Sequence, residues 1–268
     1  LNLAIIVGNV MKRYFKYLLP AGVFFLLLWG GMVVCRADPL GLLKGIPRGI
    51  ELIGHMVPPA WGKIPDLLRP ALETVQVAFV GTCLGAFLSF IIGLIAARNM
   101  HSVPILRDVA RSLLSAERAL PDLIVMLFFV AIVGLGAFPG VMALMASSIG
   151  MLGKLFADAI EEIDPKPIEA LEAIGATKIQ VIQYGVLPQV LPAMVAHTLY
   201  RFEVNIRMSI LLGVVGAGGI GFNLVTSIRL MRYQEAMAII LIILILVTFS
   251  EKISDLLRKI MIGKEVLR

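Results

Sequence analysis

Residues 165–188 read Pro165-Lys166-Pro167-Ile168-Glu169-Ala170-Leu171-Glu172-Ala173-Ile174-Gly175-Ala176-Thr177-Lys178-Ile179-Gln180-Val181-Ile182-Gln183-Tyr184-Gly185-Val186-Leu187-Pro188, a polar stretch between two apolar ones. Pro165 and Pro167 can open a helix but not sit inside one, because proline lacks the amide proton that an interior turn requires. Ile168, Leu171 and Ile174 then recur at helical spacing and share one face. Gly175 can end that helix, since glycine enters the left-handed conformation without steric penalty. Thr177 suits the N-cap of a second helix, with Ile179 and Ile182 three apart, and Leu187-Pro188 marks its exit. The segment predicts helix, bend and helix in a compact knob.

The flanking sequence says what the knob is attached to. Of 268 residues, 59% are hydrophobic and 16% charged, with a mean hydropathy of +0.94, whereas a soluble domain is about half apolar and about a quarter charged. The apolar residues gather in runs: Tyr17 to Val34, Leu72 to Ala97, Leu120 to Phe138, Gly140 to Leu152, Val190 to Val215 and Ala236 to Phe249. About 20 such residues make a helix that crosses a bilayer core of ~30 Å, so an all-α polytopic membrane protein of six spans is expected. The first run follows Lys12, Arg13 and Lys16, as a signal peptide would. It is longer than a cleavable apolar region of ~7–15 residues and no clean small-x-small site follows, so a spanning helix is expected. Phe138-Pro139-Gly140 is read as a hairpin turn and 98–118 as a polar connector. Residues 36–70 carry six prolines, which exclude one continuous helix and predict an extramembrane loop with room for a short surface helix. Residues 1–70 then form a helix with its outer loop, and 71–268 the core. Gly81 and Gly85 have the GxxxG spacing that lets two helix backbones approach closely.

The formal charge of +6 comes from Lys and Arg scattered between the apolar runs. Neither a dense basic tract nor a basic stripe with aromatics is present, which argues against nucleic acid and for positive-inside bias. With the N-terminus in the cytoplasm, fifteen Lys and Arg lie on that side and seven opposite, placing both termini and 158–188 in the cytoplasm. Cys35 and Cys83 have no CxxC or zinc spacing and are read as buried small hydrophobes. His55, His101 and His197 are scattered, and HExxH, GxSxG and paired intramembrane aspartates are absent, which argues against an intramembrane enzyme or a metal site. There is no GxxxxGK[ST]; Gly150 and Lys154 have the wrong spacing, so the chain is expected to lack a P-loop ATPase site.

Glu169-Ala170-Leu171, three residues, Gly175, nine residues, Gly185, one residue and Leu187-Pro188 resemble the EAA loop of bacterial ABC-importer permeases. Two positions depart from that pattern: Leu171 stands where the family usually has alanine, and Gly185 where it usually has isoleucine. The resemblance implies a type I importer permease fold and assigns Glu169, Ala170, Gly175, Leu187 and Pro188 to contact with a separate ATPase.

Further on, Arg201, Glu203, Asn205 and Arg207 interrupt an apolar run. Each charge at bilayer depth costs at least ~2.5 kcal/mol, so such groups face a bundle interior or a water-filled path. On a helix Arg201 shares a face with Asn205, and Glu203 with Arg207. Two readings follow: an internal Glu203–Arg207 pair that holds structure, or an arginine lining an anion route. Gly213, Gly216, Gly218, Gly219 and Gly221 come next. Gly216 to Gly221 fits GxGxxG, but without the acidic residue expected about 20 positions on, a kink or re-entrant turn suits better than a dinucleotide site.

The stretches Tyr184 to Gln189, Tyr200 to Arg207 and Val215 to Phe222 look like the phosphonate-import permease family; the run Tyr200-Arg201-Phe202-Glu203-Val204-Asn205-Ile206-Arg207 is the more specific part. The resemblance implies a homodimer in the bacterial inner membrane, a dimer of ATPase subunits that binds ATP and Mg, a periplasmic or surface binding protein, and a phosphorus oxyanion as cargo. It implies no cofactor in this chain. Methionine or a quaternary amine is the alternative cargo, and an assembly subunit without transport the alternative role.

Overall fold

The computed structural model describes residues 2–36, 38–100 and 104–262; His101, Lys264 and Arg268 lie outside them. Every regular element among the described residues is helical. Residues up to Gly54 form one unit and those from His55 another. In the first unit, α1 (Asn2–Val34) passes through Pro20 and α2 (Pro39–Met56) through Pro47. The expected outer loop is therefore largely helical. Pro39 opens α2, where a missing amide proton costs nothing.

The second unit is built on a parallel pair. Helix α3 (Ile64–Ala96) starts earlier than Leu72, with Pro65 in its first turn and Pro70 inside, and α6 covers Ala137–Glu161. A Cβ on Gly81 would stand 2.8 Å from the Leu144 Cβ, one on Gly85 3.1 Å from the Met145 carbonyl, and one on Gly93 3.1 Å from the Phe156 Cβ. The Arg98 amide donates to Glu161 at the same offset of 63 positions. Small residues on α3 thus admit the α6 backbone along the whole contact, and both helices run the same way.

Two parallel helices need a return leg. It is made of α4 (Pro104–Arg118) and α5 (Asp122–Val133), broken at Ala119-Leu120-Pro121. The connector expected at 98–118 is thus a packed amphipathic helix: Leu114 lies against Gly153, and Ala110 and Leu114 share a core with Ala96 and Ala157. Helix α5 alone has 12 residues, about 18 Å of rise, short of a crossing. Among the described residues, five helical segments are long and apolar enough to span: Lys16–Val34, Trp61–Ala96, Ala137–Glu161, Lys178–Ala217 and Tyr233–Met261. The run expected as a further span, Leu120 to Phe138, falls in the second piece of this leg and the turn that follows it. The turn into α6 falls at Gly134-Leu135-Gly136, both glycines at positive φ, and not at Phe138-Pro139-Gly140, which lies in the first turn of α6.

Helix α9 (Leu187–Leu212) packs on both α3 and α6, α10 (Gly219–Arg229) follows a glycine break, and α11 (Tyr233–Ile262) closes the bundle against α9 and α10. Cys35 and Cys83 are exposed, contrary to the expected burial. On α3 the exposed neighbours of Cys83 are Phe79, Val80, Leu84 and Phe87, an apolar surface that suits lipid.

Candidate functional site

The knob forms by local rules. Helix α7 (Lys166–Ala173) ends at Gly175, whose φ is +81°. The Gly175 amide donates to the Glu172 carbonyl (3.0 Å) and the Ala176 amide to that of Leu171 (3.0 Å), the paired bonds of a Schellman stop. Thr177 then caps α8 (Lys178–Gln180): its Oγ1 accepts from the Gln180 amide (3.4 Å) while Gln180 Oε1 accepts from the Thr177 amide (2.8 Å). Leu187-Pro188 is not an exit. A π-helical stretch, Val181–Val186, carries the chain from α8 into α9 without a break.

The expected apolar face divides. Ile168 and Leu171 turn inward onto Gly185, whereas Ile174 and Ile179 project outward, 80% and 76% exposed. Glu169 and Ala170 are also exposed. Gln189 ties the two ends of the knob together: its Oε1 accepts from the Asp164 amide (3.0 Å) and its Nε2 donates to the Gly185 carbonyl (2.7 Å). The knob is thus a lever joined to α9 without a break, with Ile174, Ile179 and the carboxylates of Glu169 and Glu172 on its outer surface.

Helix α9 carries that lever into the centre of the bundle. Arg201, 5% exposed, donates from Nε to Ser148 Oγ (3.1 Å) and from Nη2 to Ser147 Oγ (2.5 Å), and its Nη1 meets Met151 Sδ (3.5 Å). Ser147 in turn donates to Asp122 at the start of α5. Asn205, fully buried, donates to Thr82 Oγ1 (2.8 Å) and Ser148 Oγ (2.9 Å). Those two hydroxyls donate to the Ala78 and Leu144 carbonyls, so they can only accept from Asn205, which fixes the orientation of its amide. Ser147 and Ser148 lie midway along α6, so this network sits halfway through the span.

Glu203 and Arg207 do not pair with each other. Glu203 accepts from Arg258 (3.0 Å) and Arg207 donates to Glu251 (2.6 Å), both partners on α11. On α9 the two lie four apart on one face, but α11 offers each an opposite charge across the contact.

Beyond α9 the backbone folds back at depth. Gly216 (φ 105°, ψ 13°) breaks the helix, and Gly218 and Gly219 also have positive φ. The Ile220 amide donates to Thr74 Oγ1 (2.9 Å) and that of Gly219 to Glu73 Oε2 (3.3 Å), so α3 caps the start of α10. A Cβ on Gly213 would stand 2.6 Å from the Gly218 carbonyl, and Gly221 is pressed onto the Ile210 carbonyl. Gly213, Ala217, Gly219 and Gly221 of this irregular stretch are buried against the neighbouring backbone and helices, as irregular backbone at membrane depth requires.

Sequence reasoning missed Thr82, Asp122, Ser147, Ser148, Arg258 and Glu251. The adjacent serines inside an apolar run, and an aspartate directly after Pro121, were the available signal.

Residues 89–262 match the model of the family described as binding-protein-dependent transport system inner membrane component. The chain belongs to this family. Over 89% of its length this permease is 44% identical to the phosphite transport system permease protein PtxC of Stutzerimonas stutzeri, covering 86% of that protein. It is 41% identical to the phosphate-import permease protein PhnE of Mycolicibacterium smegmatis over 84% of its own length and 43% of the relative's. Its fold matches a chain of the inward-facing MetNI methionine ABC transporter with a TM-score of 0.66 at 23% identity, covering 75% of this chain and 99% of that one. The permease is thus an all-helical inner-membrane transport component.

Proposed function

We propose that this permease imports a phosphorus oxyanion, such as phosphite, phosphate or a phosphonate, by alternating access. The observation that carries the reading is the 44% identity to a phosphite permease across nearly the whole chain. Methionine is the weaker cargo, since the methionine transporter shares the fold at 23% identity.

In this reading two copies of the chain form the route, and two ATPase subunits that bind ATP and Mg dock beneath them. A periplasmic or surface binding protein delivers cargo. The exposed Glu169, Ala170, Ile174 and Ile179 form the contact with the ATPase, Gly175 sets the bend, and Leu187 and Pro188 lie where the lever joins α9. The ends of α3, α6 and α11 lie at the knob's end of the bundle. With the fifteen-to-seven distribution of Lys and Arg, this favours a cytoplasmic knob and cytoplasmic termini.

The test is uptake by liposomes carrying the permease with its genomic-neighbour ATPase and binding protein. Uptake of phosphite, phosphate or methylphosphonate that depends on ATP is the expected result; uptake of methionine alone would overturn the cargo.

A further inference from the structure

The two arginines of α9 are in different situations. Arg201 engages neighbours through Nε, Nη1 and Nη2 and is almost fully enclosed. Arg207 uses one nitrogen, Nη1, on one oxygen of Glu251. Its remaining N–H groups have no protein partner among the described residues, and the Arg207 and Glu251 side chains are 46% and 45% exposed.

Depth makes that exposure informative. Asn205 reaches Thr82 and Ser209 reaches the Thr74 carbonyl. Arg207, between them, therefore stands level with residues near Ala78, close to the middle of α3. A half-exposed ion pair at the middle of a span is too costly to leave in hydrocarbon; it faces a water-filled path or a further helix. The second α9–α11 pair, Glu203 with Arg258, is more enclosed, at 12% and 25% exposure, and fixes the helices beside it.

We propose that Arg207 is the cargo-contacting arginine of the route and that Glu251 is its displaceable counter-ion. This rests on the oxyanion reading above. An oxyanion arriving in the route meets the open side of the guanidinium fork, accepts two N–H groups and displaces the Glu251 carboxylate. When the oxyanion leaves, Glu251 returns. A carboxylate competing for the same donors keeps cargo binding weak enough for release, which is what conduction through a charged site requires. Arg201 positions α9 and does not touch cargo.

The experiment compares wild type, Arg207→Gln, Glu251→Gln and the double variant in liposomes with the ATPase and binding protein, reading KM and maximal rate for phosphite. Thermal unfolding and ATPase co-purification are measured in parallel. Arg207→Gln should raise KM about tenfold, the size expected for a lost charge-assisted hydrogen bond. Glu251→Gln should lower both KM and maximal rate, because cargo is then held without a competitor. The double variant should resemble Arg207→Gln. If instead each single variant loses assembled complex at unchanged KM and the double variant regains uptake, the pair is structural and the inference is overturned. Wild-type uptake with unaltered KM in both single variants also overturns it. A wild type that takes up none of phosphite, phosphate and methylphosphonate overturns the cargo reading and this inference with it.

Discussion

Leu171 packs onto the bare backbone of Gly185: a Cβ placed at Gly185 would stand 3.1 Å from Leu171 Cδ1 and 3.3 Å from Ile168 Cγ1. These are the two positions at which the segment departs from the EAA pattern, where alanine and isoleucine are usual. The departures touch, so they are one exchange of volume across a contact. Gly185→Ile alone should overpack the knob, at a cost of about 1–3 kcal/mol. Leu171→Ala alone should leave a small void. The double variant should recover most of the loss in thermal unfolding and in ATPase co-purification. A double variant no better than Gly185→Ile would mean that the contact is not what couples the two positions.

Gly175 separates backbone strain from steric clash. Nothing lies within 4 Å of a Cβ built there, yet its φ is +81°. A side chain therefore costs only the left-handed conformation, about 1–2 kcal/mol for an ordinary residue. Gly175→Asn should retain much of the ATPase stimulation, because asparagine tolerates that region, and Gly175→Val should lose it with the permease still inserted. Equal stimulation in the two variants would refute the role of the bend.

The knob was legible because its determinants are local: proline opens α7, Gly175 stops it and Thr177 caps α8, all within a few residues. What was not legible depends on distant partners. Gly81 and Gly85 announced a close helix contact, but nothing in the sequence says that α6 fills it, or that it runs parallel. Pro47 and Pro70 suggested a loop because proline disrupts an isolated helix. In α3 the chain continues through Pro70, and Thr74 Oγ1 donates to the Pro70 carbonyl within the same helix. Arg201, Asn205 and Arg207 were visible as costly charges and amides, whereas their hydroxyl and carboxylate partners lie on other helices.

Orientation is open to direct labelling. In a variant with Cys35 and Cys83 replaced, a cysteine at Thr177 lies on the exposed surface of the knob. It should react with an impermeant thiol reagent in inverted vesicles and not in intact cells. Reaction in intact cells would reverse the proposed topology.

The α3–α6 seam should be intolerant of bulk. A β-branched side chain at Gly85 would press on Ser148 and on the Met145 carbonyl, and backbone cannot yield as a flexible side chain can. Gly85→Val should therefore cost more than about 2 kcal/mol and reduce the yield of folded permease. Gly45→Val, at a glycine with nothing within 4 Å of its Cβ, provides the control and should express normally.

The Arg201 network gives the sharpest test of a structural role at mid-span. Arg201 reaches Asp122 through Ser147, which accepts from the guanidinium and donates to the carboxylate. Replacing Arg201 by Gln removes the positive charge that faces Asp122 through Ser147 and takes from Ser147 the guanidinium donor, while Ser148 keeps its bond from Asn205. Breaking such a buried charge arrangement costs about 3–5 kcal/mol, whereas neutralising both members together costs far less. Arg201→Gln should therefore lower the yield and melting temperature of the permease, and Asp122→Asn in the same chain should restore much of both. If uptake at saturating phosphite returns with the fold, Arg201 acts by holding α9 against α6. If the restored double variant folds but its KM for phosphite stays high, Arg201 also meets the cargo, and the division of labour between the two arginines fails.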